Sequence, residues 1–195
     1  MAKKLVCGVG VNDSEFQVSI TAKVRNKRVV VWQCDFYSKW LCMIQRCYSK
    51  SFKKRRPTYE GCRVCDEWLV FSNFKRWMET QDWIDKQLDK DILVKGNKVY
   101  SPENCVFVSG LVNSFFGSKN NVNGYLEGVS IFKRDQSFKS QVQNPFTRKN
   151  EHIGFFKSEI DAHTAWKSRK HELACQLADL QTDARVAVAL RNRYL

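Results

Sequence analysis

The sequence contains little glycine or proline, and its few histidines lie near the carboxyl end. The 195 residues include 9 glycines and 3 prolines, which excludes collagen-like and linker-like chains. No apolar run approaches the roughly 18 residues of a membrane span. The histidines are His152, His163 and His171, so chemistry in residues 1–151 must proceed without a histidine base or ligand.

Positive charge and apolar side chains are abundant. The 33 Lys and Arg against 20 Asp and Glu give a net charge of +13, and 43% of the residues are hydrophobic. Residues 1–127 and 128–195 both carry an excess of cations, as expected of a chain that lies along a polyanion. The apolar run at the amino end is too short for a signal peptide, so the eight cysteines are expected to be reduced thiols or metal ligands.

Hydrophobic periodicity predicts a mixed α+β chain. In the first half it indicates strands at 16–20 and 29–32, a helix over 38–48 capped by Ser38, and a helix over 72–81 capped by Ser72. Residues 50–56 are expected to form a basic loop that contacts phosphates through Lys53, Lys54, Arg55 and Arg56.

After residue 127 the period changes to two, which predicts a three-stranded antiparallel sheet packed on one helix. The strands lie at 129–132, 138–142 and 153–156, and Ser158 caps the helix, whose apolar stripe ends at Leu180. The helix covers one face of the sheet. The other face is predicted to carry polar and aromatic side chains: Ser130, Phe132, Lys139, Gln141, Gln143, Asn150 and His152.

Residues 125–178 resemble the APETALA/ethylene-response-factor DNA-binding domain, at Gly128-Val129, 138–142, 153–156 and 159–166. The resemblance implies that Ser130, Phe132, Gln141, Gln143, Asn150 and His152 contact bases and backbone. Amides can pair with adenine, and Lys139 can reach guanine or phosphate. The implied partner is double-stranded DNA.

A group of acidic and amide residues lies in the middle of the chain. Asp89 and Asp91 are followed by Asn104, in the segment Gly96-Asn97-Lys98-Val99-Tyr100-Ser101-Pro102-Glu103-Asn104-Cys105, and by Asn113. Two carboxylates followed by two asparagines offer oxygen ligands that suit Mg²⁺ or another hard divalent cation. A metal held there could polarise a phosphoryl oxygen, which is phosphodiesterase chemistry.

Together with Arg46-Cys47-Tyr48, Tyr59, Cys65, Glu67-Trp68 and Phe71-x-x-Phe74-x-x-Trp77, this block resembles the HNH-like endonucleases of phages and mobile introns. The resemblance covers about residues 36–113 and implies a small ββα-metal-type nuclease domain and a homing enzyme in the cytoplasm of the host. The resemblance makes Asn104 the middle asparagine and Asn113 the last metal-side residue, so that Asp89, Asp91 and Asn113 are the implied metal ligands. The family's histidine base is missing, and Lys90 and Asp91 stand about where it would fall. Candidates for the base are Asp91, Lys90 and a metal-bound water.

The cysteines leave two interpretations open. Cys62 and Cys65 form a CxxC pair that Cys47 and Cys105 could complete as a structural zinc site. The alternative is that these thiols pack as small apolar groups.

These observations predict five segments: an N-terminal strand region (1–35), a nuclease domain (36–117), a linker (118–127), a DNA-binding domain (128–182) and a helical tail (183–195). The predicted function is a metal-dependent, sequence-specific DNA endonuclease. One alternative is a DNA-binding regulator in which Asp89 and Asp91 only brace a degenerate nuclease domain. Another is an RNA-binding basic protein.

Overall fold

A computed structural model describes residues 5–117 and 124–195 and divides the chain into two compact units, Met1–Ser109 and Gly110–Leu195. Both units combine helices with small sheets, so the predicted α+β class is confirmed. Residues 118–123 of the predicted linker lie outside the described residues. No helix in the two described ranges is both long and apolar enough to cross a membrane.

The first unit is built from three pairs of short strands around a helical core. The strands pair as β1 with β2 (antiparallel), β3 with β5 (parallel) and β4 with β6 (antiparallel). In chain order the elements are β1 (Ser19–Val24), β2 (Lys27–Gln33), α1 (Asp35–Tyr48), α2 (Lys50–Arg55), β3 (Arg63–Val64), α3 (Phe71–Glu79), β4 (Gln87–Asp89), β5 (Val99–Tyr100) and β6 (Val106–Val108).

Aromatic side chains supply six of the fourteen buried residues in the core of this unit. Trp40 on α1 packs against Phe71 on α3, with ring centroids 5.6 Å apart, and its Nε1 donates to the carbonyl oxygen of Trp68 at 2.7 Å. Burying such large rings is the main source of stability in a domain of this size. The loop between β4 and β5 is therefore attached to a rigid body.

Four predictions for the first unit are wrong. The strand predicted at 16–20 begins only at Ser19 and continues to Val24 as β1. Ser38 lies inside α1, where its N–H donates to the carbonyl oxygen of Cys34 at 2.8 Å. Ser72 does not cap α3, because the helix already begins at Phe71; instead the N–H of Ser72 donates to Asp13 Oδ1 at 2.9 Å. The segment 50–56, predicted as a loop, forms α2, whose first turn is capped by Ser49 through the N–H of Phe52 at 3.3 Å.

The second unit contains the predicted three-stranded antiparallel sheet, in the order β7-β8-β9. Its elements are α4 (Gly110–Phe116), β7 (Val129–Phe132), β8 (Ser137–Gln143), β9 (Asn150–Phe156), α5 (Glu159–Ala178) and α6 (Ala184–Asn192). Helix α5 packs on the sheet, where Ser140 Oγ donates to the carbonyl oxygen of Ala162 at 2.8 Å. Ser158 caps α5 as predicted, but Leu180 lies beyond the helix and is 67% exposed, so its place in the apolar stripe is wrong.

Candidate nucleic-acid interface and acidic site

The strand register brings the predicted DNA-contacting residues of the sheet to one face. Ser130 pairs with Lys139 across β7 and β8, and Gln141 pairs with His152 across β8 and β9. Directly paired residues of an antiparallel sheet point to the same side. Between them, Ser140 and Val142 are buried under α5. The opposite side, here called the outer sheet face, carries Ser130, Phe132, Ser137, Lys139, Gln141, Gln143, Asn150, His152 and Phe155.

Phe155 is a member of the outer sheet face that the sequence analysis missed. It pairs with Lys139 and is 50% exposed. Its ring centroid lies 4.8 Å from that of Phe132 and 4.7 Å from that of His152. Alternation from Asn150 and His152 would place Phe156 rather than Phe155 on this face, so no periodicity in the sequence identifies Phe155.

A β-bulge sets this arrangement. The register shifts between Ser140 and Gln141, so that Gly154 faces Ser140 while His152 faces Gln141. The intervening Ile153 is the extra residue. If it were paired in regular register, His152 would face Val142 on the buried side. The bulge therefore keeps both His152 and Phe155 on the outer sheet face.

Cationic side chains stand at both ends of the sheet. The turn between β7 and β8 contains Lys133 and Arg134, and the turn between β8 and β9 contains Arg148 and Lys149, all exposed. None of the nine residues on the outer sheet face is acidic. The nearby Glu151 lies on the other side, where Arg169 Nε donates to it at 2.9 Å. The outer sheet face thus has the charge sign that a polyanion requires.

In the first unit, Asp89 ends β4 and its carboxylate organises the turn that follows. Its Oδ1 accepts hydrogen bonds from the N–H groups of Asp91 and Ile92, both at 2.8 Å. Lys90, which is nearly buried, contacts Asp91 through Nζ and Oδ2 at 3.1 Å. The predicted acidic pair is therefore assembled, and one of its members also has a structural role.

The electrostatics of Asp89 reflect this crowding. Burial raises the pKa of the Asp89 carboxyl group, and the negative charge of Asp91 raises it further, against the two backbone N–H donors that lower it. A buried carboxylate beside a second one is destabilised when both are ionised. A cation that both carboxylates could share would relieve this repulsion.

Asn97 holds the loop that follows the acidic pair, a role that the sequence analysis did not assign. Its Nδ2 donates to the carbonyl oxygens of Lys90 at 2.6 Å and Val99 at 2.7 Å, and its Oδ1 accepts from the N–H of Val99 at 3.1 Å. The position directly after Gly96, which has a φ of +79°, was the available signal. Asn97 thereby ties the acidic turn to β5.

The two asparagines predicted to complete the site fall in different units. Asn104 belongs to the first unit, and its Nδ2 donates to Ser101 Oγ at 3.1 Å. Asn113 lies on α4 and belongs to the second unit. Asp89 and Asp91 are therefore the members of the predicted metal set that one unit supplies.

The four cysteines of the predicted zinc site are largely core residues. Cys47, Cys62 and Cys105 are buried, and Cys65 is partly buried. Burial raises the pKa of the Cys47 thiol to about 12 and also raises that of Cys105, so both favour the neutral thiol. In the parts of the chain that the structure describes, no group of three or more His, Cys, Asp or Glu side chains is arranged to hold a metal ion. This packing favours the interpretation as apolar thiols.

The basic segment presents most of its cations to solvent. Lys54, Arg55 and Arg56 are exposed, whereas Lys53 is partly buried and lies 3.7 Å from Glu60. Phe52 and Tyr59 pack edge to face beneath the segment, with ring centroids 5.5 Å apart. Helix α2 therefore displays a cationic surface on a fixed support.

Comparison with known proteins gives no match: no family model, no curated protein and no solved structure is similar to this chain.

Proposed function

We propose that the chain binds double-stranded DNA through the outer sheet face. What supports this best is the convergence of amides, a lysine and aromatic rings on a face without acidic residues, opposite a helix that covers the other side. Amide side chains such as Gln141 and Gln143 can pair with adenine through two hydrogen bonds. Phe132 and Phe155 offer apolar contacts that suit a thymine methyl group.

The size of the sheet favours the major groove of duplex DNA. Three strands spaced about 4.8 Å apart span roughly 10 Å. The major groove of B-DNA is about 12 Å wide, whereas that of double-stranded RNA is too narrow for side chains to enter. Lys133 and Arg134 at one end and Arg148 and Lys149 at the other are placed to contact phosphates on either side.

Selection of binding sites from a random duplex library, followed by fluorescence anisotropy at fixed salt, tests this proposal. Gln141→Ala and Phe155→Ala should each weaken binding to the selected site by about 1–3 kcal/mol, and Q141A should relax specificity. The matched control is Gln176→Ala, on an exposed position of α5, which should leave binding unchanged. Equal affinity of the sheet-face variants and the wild type would contradict the proposal, as would preference for single-stranded RNA.

A second candidate function, DNA cleavage in the first unit, is favoured by the acidic pair. Asp89 and Asp91 are the residues that would hold a divalent cation, and the raised pKa of Asp89 marks a place where a cation would be stabilising. Such a cation would polarise a phosphoryl oxygen of the bound backbone. Lys90 is paired with the Asp91 carboxylate as an ammonium group, which has no lone pair, so it would have to lose a proton before it could act as the base.

Cleavage is tested by incubating plasmid with the full chain in Mg²⁺ or Mn²⁺. Asp91→Asn should abolish nicking, and the control Asp85→Asn, at an exposed position in the same unit, should not. If the wild type binds DNA but does not nick it with either cation, the cleavage proposal falls. The alternative of a DNA-binding protein with a degenerate nuclease domain then stands.

A further inference from the structure

The β1–β2 hairpin exposes side chains on both of its faces. Its register places Thr21, Lys23, Arg28 and Val30 on one face, here called the cationic hairpin face. The other face carries Ala22, Lys27 and four large apolar side chains that are 43–51% exposed, namely Ile20, Val24, Val29 and Trp32. Because side chains on both faces are exposed, the cationic hairpin face is a surface that a partner can reach.

The charge of the hairpin indicates what kind of partner this is. Residues 16–34 contain four cations and no acidic residue, and all four lie between positions 23 and 28 at the tip: Lys23, Arg25, Lys27 and Arg28. The turn places a cationic residue in the left-handed backbone region, which is energetically unfavourable for residues other than glycine: Arg25 and Asn26 have φ values of 46° and 61°. Two left-handed residues in a two-residue turn are typical of a type I′ hairpin, in which glycine would be less strained.

A second copy of the chain fits this surface poorly. One face of a six-residue ribbon measures roughly 20 by 10 Å, or about 200 Å². A stable interface buries about 800 Å² on each partner. Two copies would also bring eight cations together, four from each tip. Duplex DNA has the complementary charge, and its major groove admits a two-stranded β-ribbon.

We propose that the β1–β2 hairpin is a second DNA contact, which lies in a groove of the duplex with its cationic face toward the nucleic acid. This inference rests on the proposed DNA binding and extends it to the first unit. Lys23 and Arg28, which are paired across the strands, reach phosphates, and Thr21 faces base edges. Because the hairpin conformation is already formed before binding, little conformational entropy is lost when it contacts DNA.

The salt dependence of duplex binding by the full chain tests this contact. Combining Lys23→Gln with Arg28→Gln removes two phosphate contacts. The slope of log K against log salt should become shallower by about 1.8, and affinity at 0.1 M salt should fall by up to about 60-fold. The control combines Arg76→Gln with Lys95→Gln, two exposed cations elsewhere in the first unit, and should change neither quantity.

The outcomes separate this inference from the function on which it rests. If the wild type binds duplex DNA and the hairpin variant has the same slope and affinity as the control, the hairpin contact is refuted and binding by the sheet survives. If the wild type does not bind duplex DNA, both proposals fall. A dimer in sedimentation equilibrium that Trp32→Ser dissociates would identify a second copy as the partner and overturn the hairpin proposal.

Discussion

The carboxylate of Asp89 has two roles, one structural and one electrostatic. Its Oδ1 accepts from two backbone N–H groups, and its charge is the first half of the acidic pair. Holding the turn needs only an oxygen that accepts hydrogen bonds, whereas binding a cation needs the negative charge. Substitutions that separate the oxygen from the charge can therefore separate the two roles.

We expect Asp89→Asn to retain the turn and Asp89→Ala to weaken it. The amide oxygen of asparagine can still accept both hydrogen bonds, so the free energy of unfolding should not fall. Alanine leaves two backbone donors without an acceptor, which costs about 1–2 kcal/mol. Urea denaturation measures both. If the two variants are equally stable, the capping role is wrong, and if D89N still nicks DNA, the charge is not needed for cleavage.

Stability should depend on pH through the same carboxyl group. The folded state raises the pKa of Asp89 above its ordinary value of about 3.9. The protonated form of Asp89 therefore stabilises the folded state. This stabilisation is fully present when the pH is below the ordinary pKa, and it is lost as the pH rises through the raised pKa of the folded state. The free energy of unfolding of the wild type should therefore fall relative to that of D89N as the pH increases across this interval. At neutral pH, Mg²⁺ should recover stability in the wild type and not in D89N.

At the scale of elements, the packing of α5 on the sheet depends on Gly128, which immediately precedes β7. Its φ is +81°, and a Cβ at this position would lie 2.0 Å from Trp166 Cδ1. The indole of Trp166 thus occupies the space that any side chain would need. The sheet and its covering helix approach this closely only with glycine.

Gly128→Ala should destabilise the second unit by about 2–5 kcal/mol, from left-handed backbone strain and from overpacking against the indole. The matched control is Gly124→Ala, where φ is +74° and no atom lies within 4 Å, so that only the backbone strain of about 1–2 kcal/mol remains. Chemical denaturation followed by tryptophan fluorescence compares the two. Equal losses would show that contact with Trp166 does not limit this position.

Which helix starts could be predicted depended on whether the partner is local. Ser158 caps α5 through the N–H of Asp161, three residues away, and was predictable from sequence spacing. The start of α3 was not predictable in this way, because the N–H of Ser72 in its first turn donates to Asp13, which is 59 residues away along the chain. For the same reason, the outer sheet face followed from alternation, but Phe155 required the bulge in β9, which periodicity alone does not reveal.

At the scale of the whole molecule, the net charge of +13 predicts the class of partner but not the surface that meets it. Exposed cations are grouped on α2 and at the hairpin tip in the first unit and on the two turns of the sheet in the second, and others lie singly elsewhere. The site in the first unit was only partly predictable, since the acidic pair is local in sequence. The roles of Asn97 and of the hairpin faces depend on strand register and turn geometry.

The central claim is that the outer sheet face contacts duplex DNA. Its most direct test is an NMR titration of the isotope-labelled full chain with a selected duplex. The account predicts the largest amide shifts at Lys139, Gln141, His152 and Phe155, with small shifts along the exposed side of α5. Shifts confined to α5, or none on the three strands at saturating DNA, would contradict it.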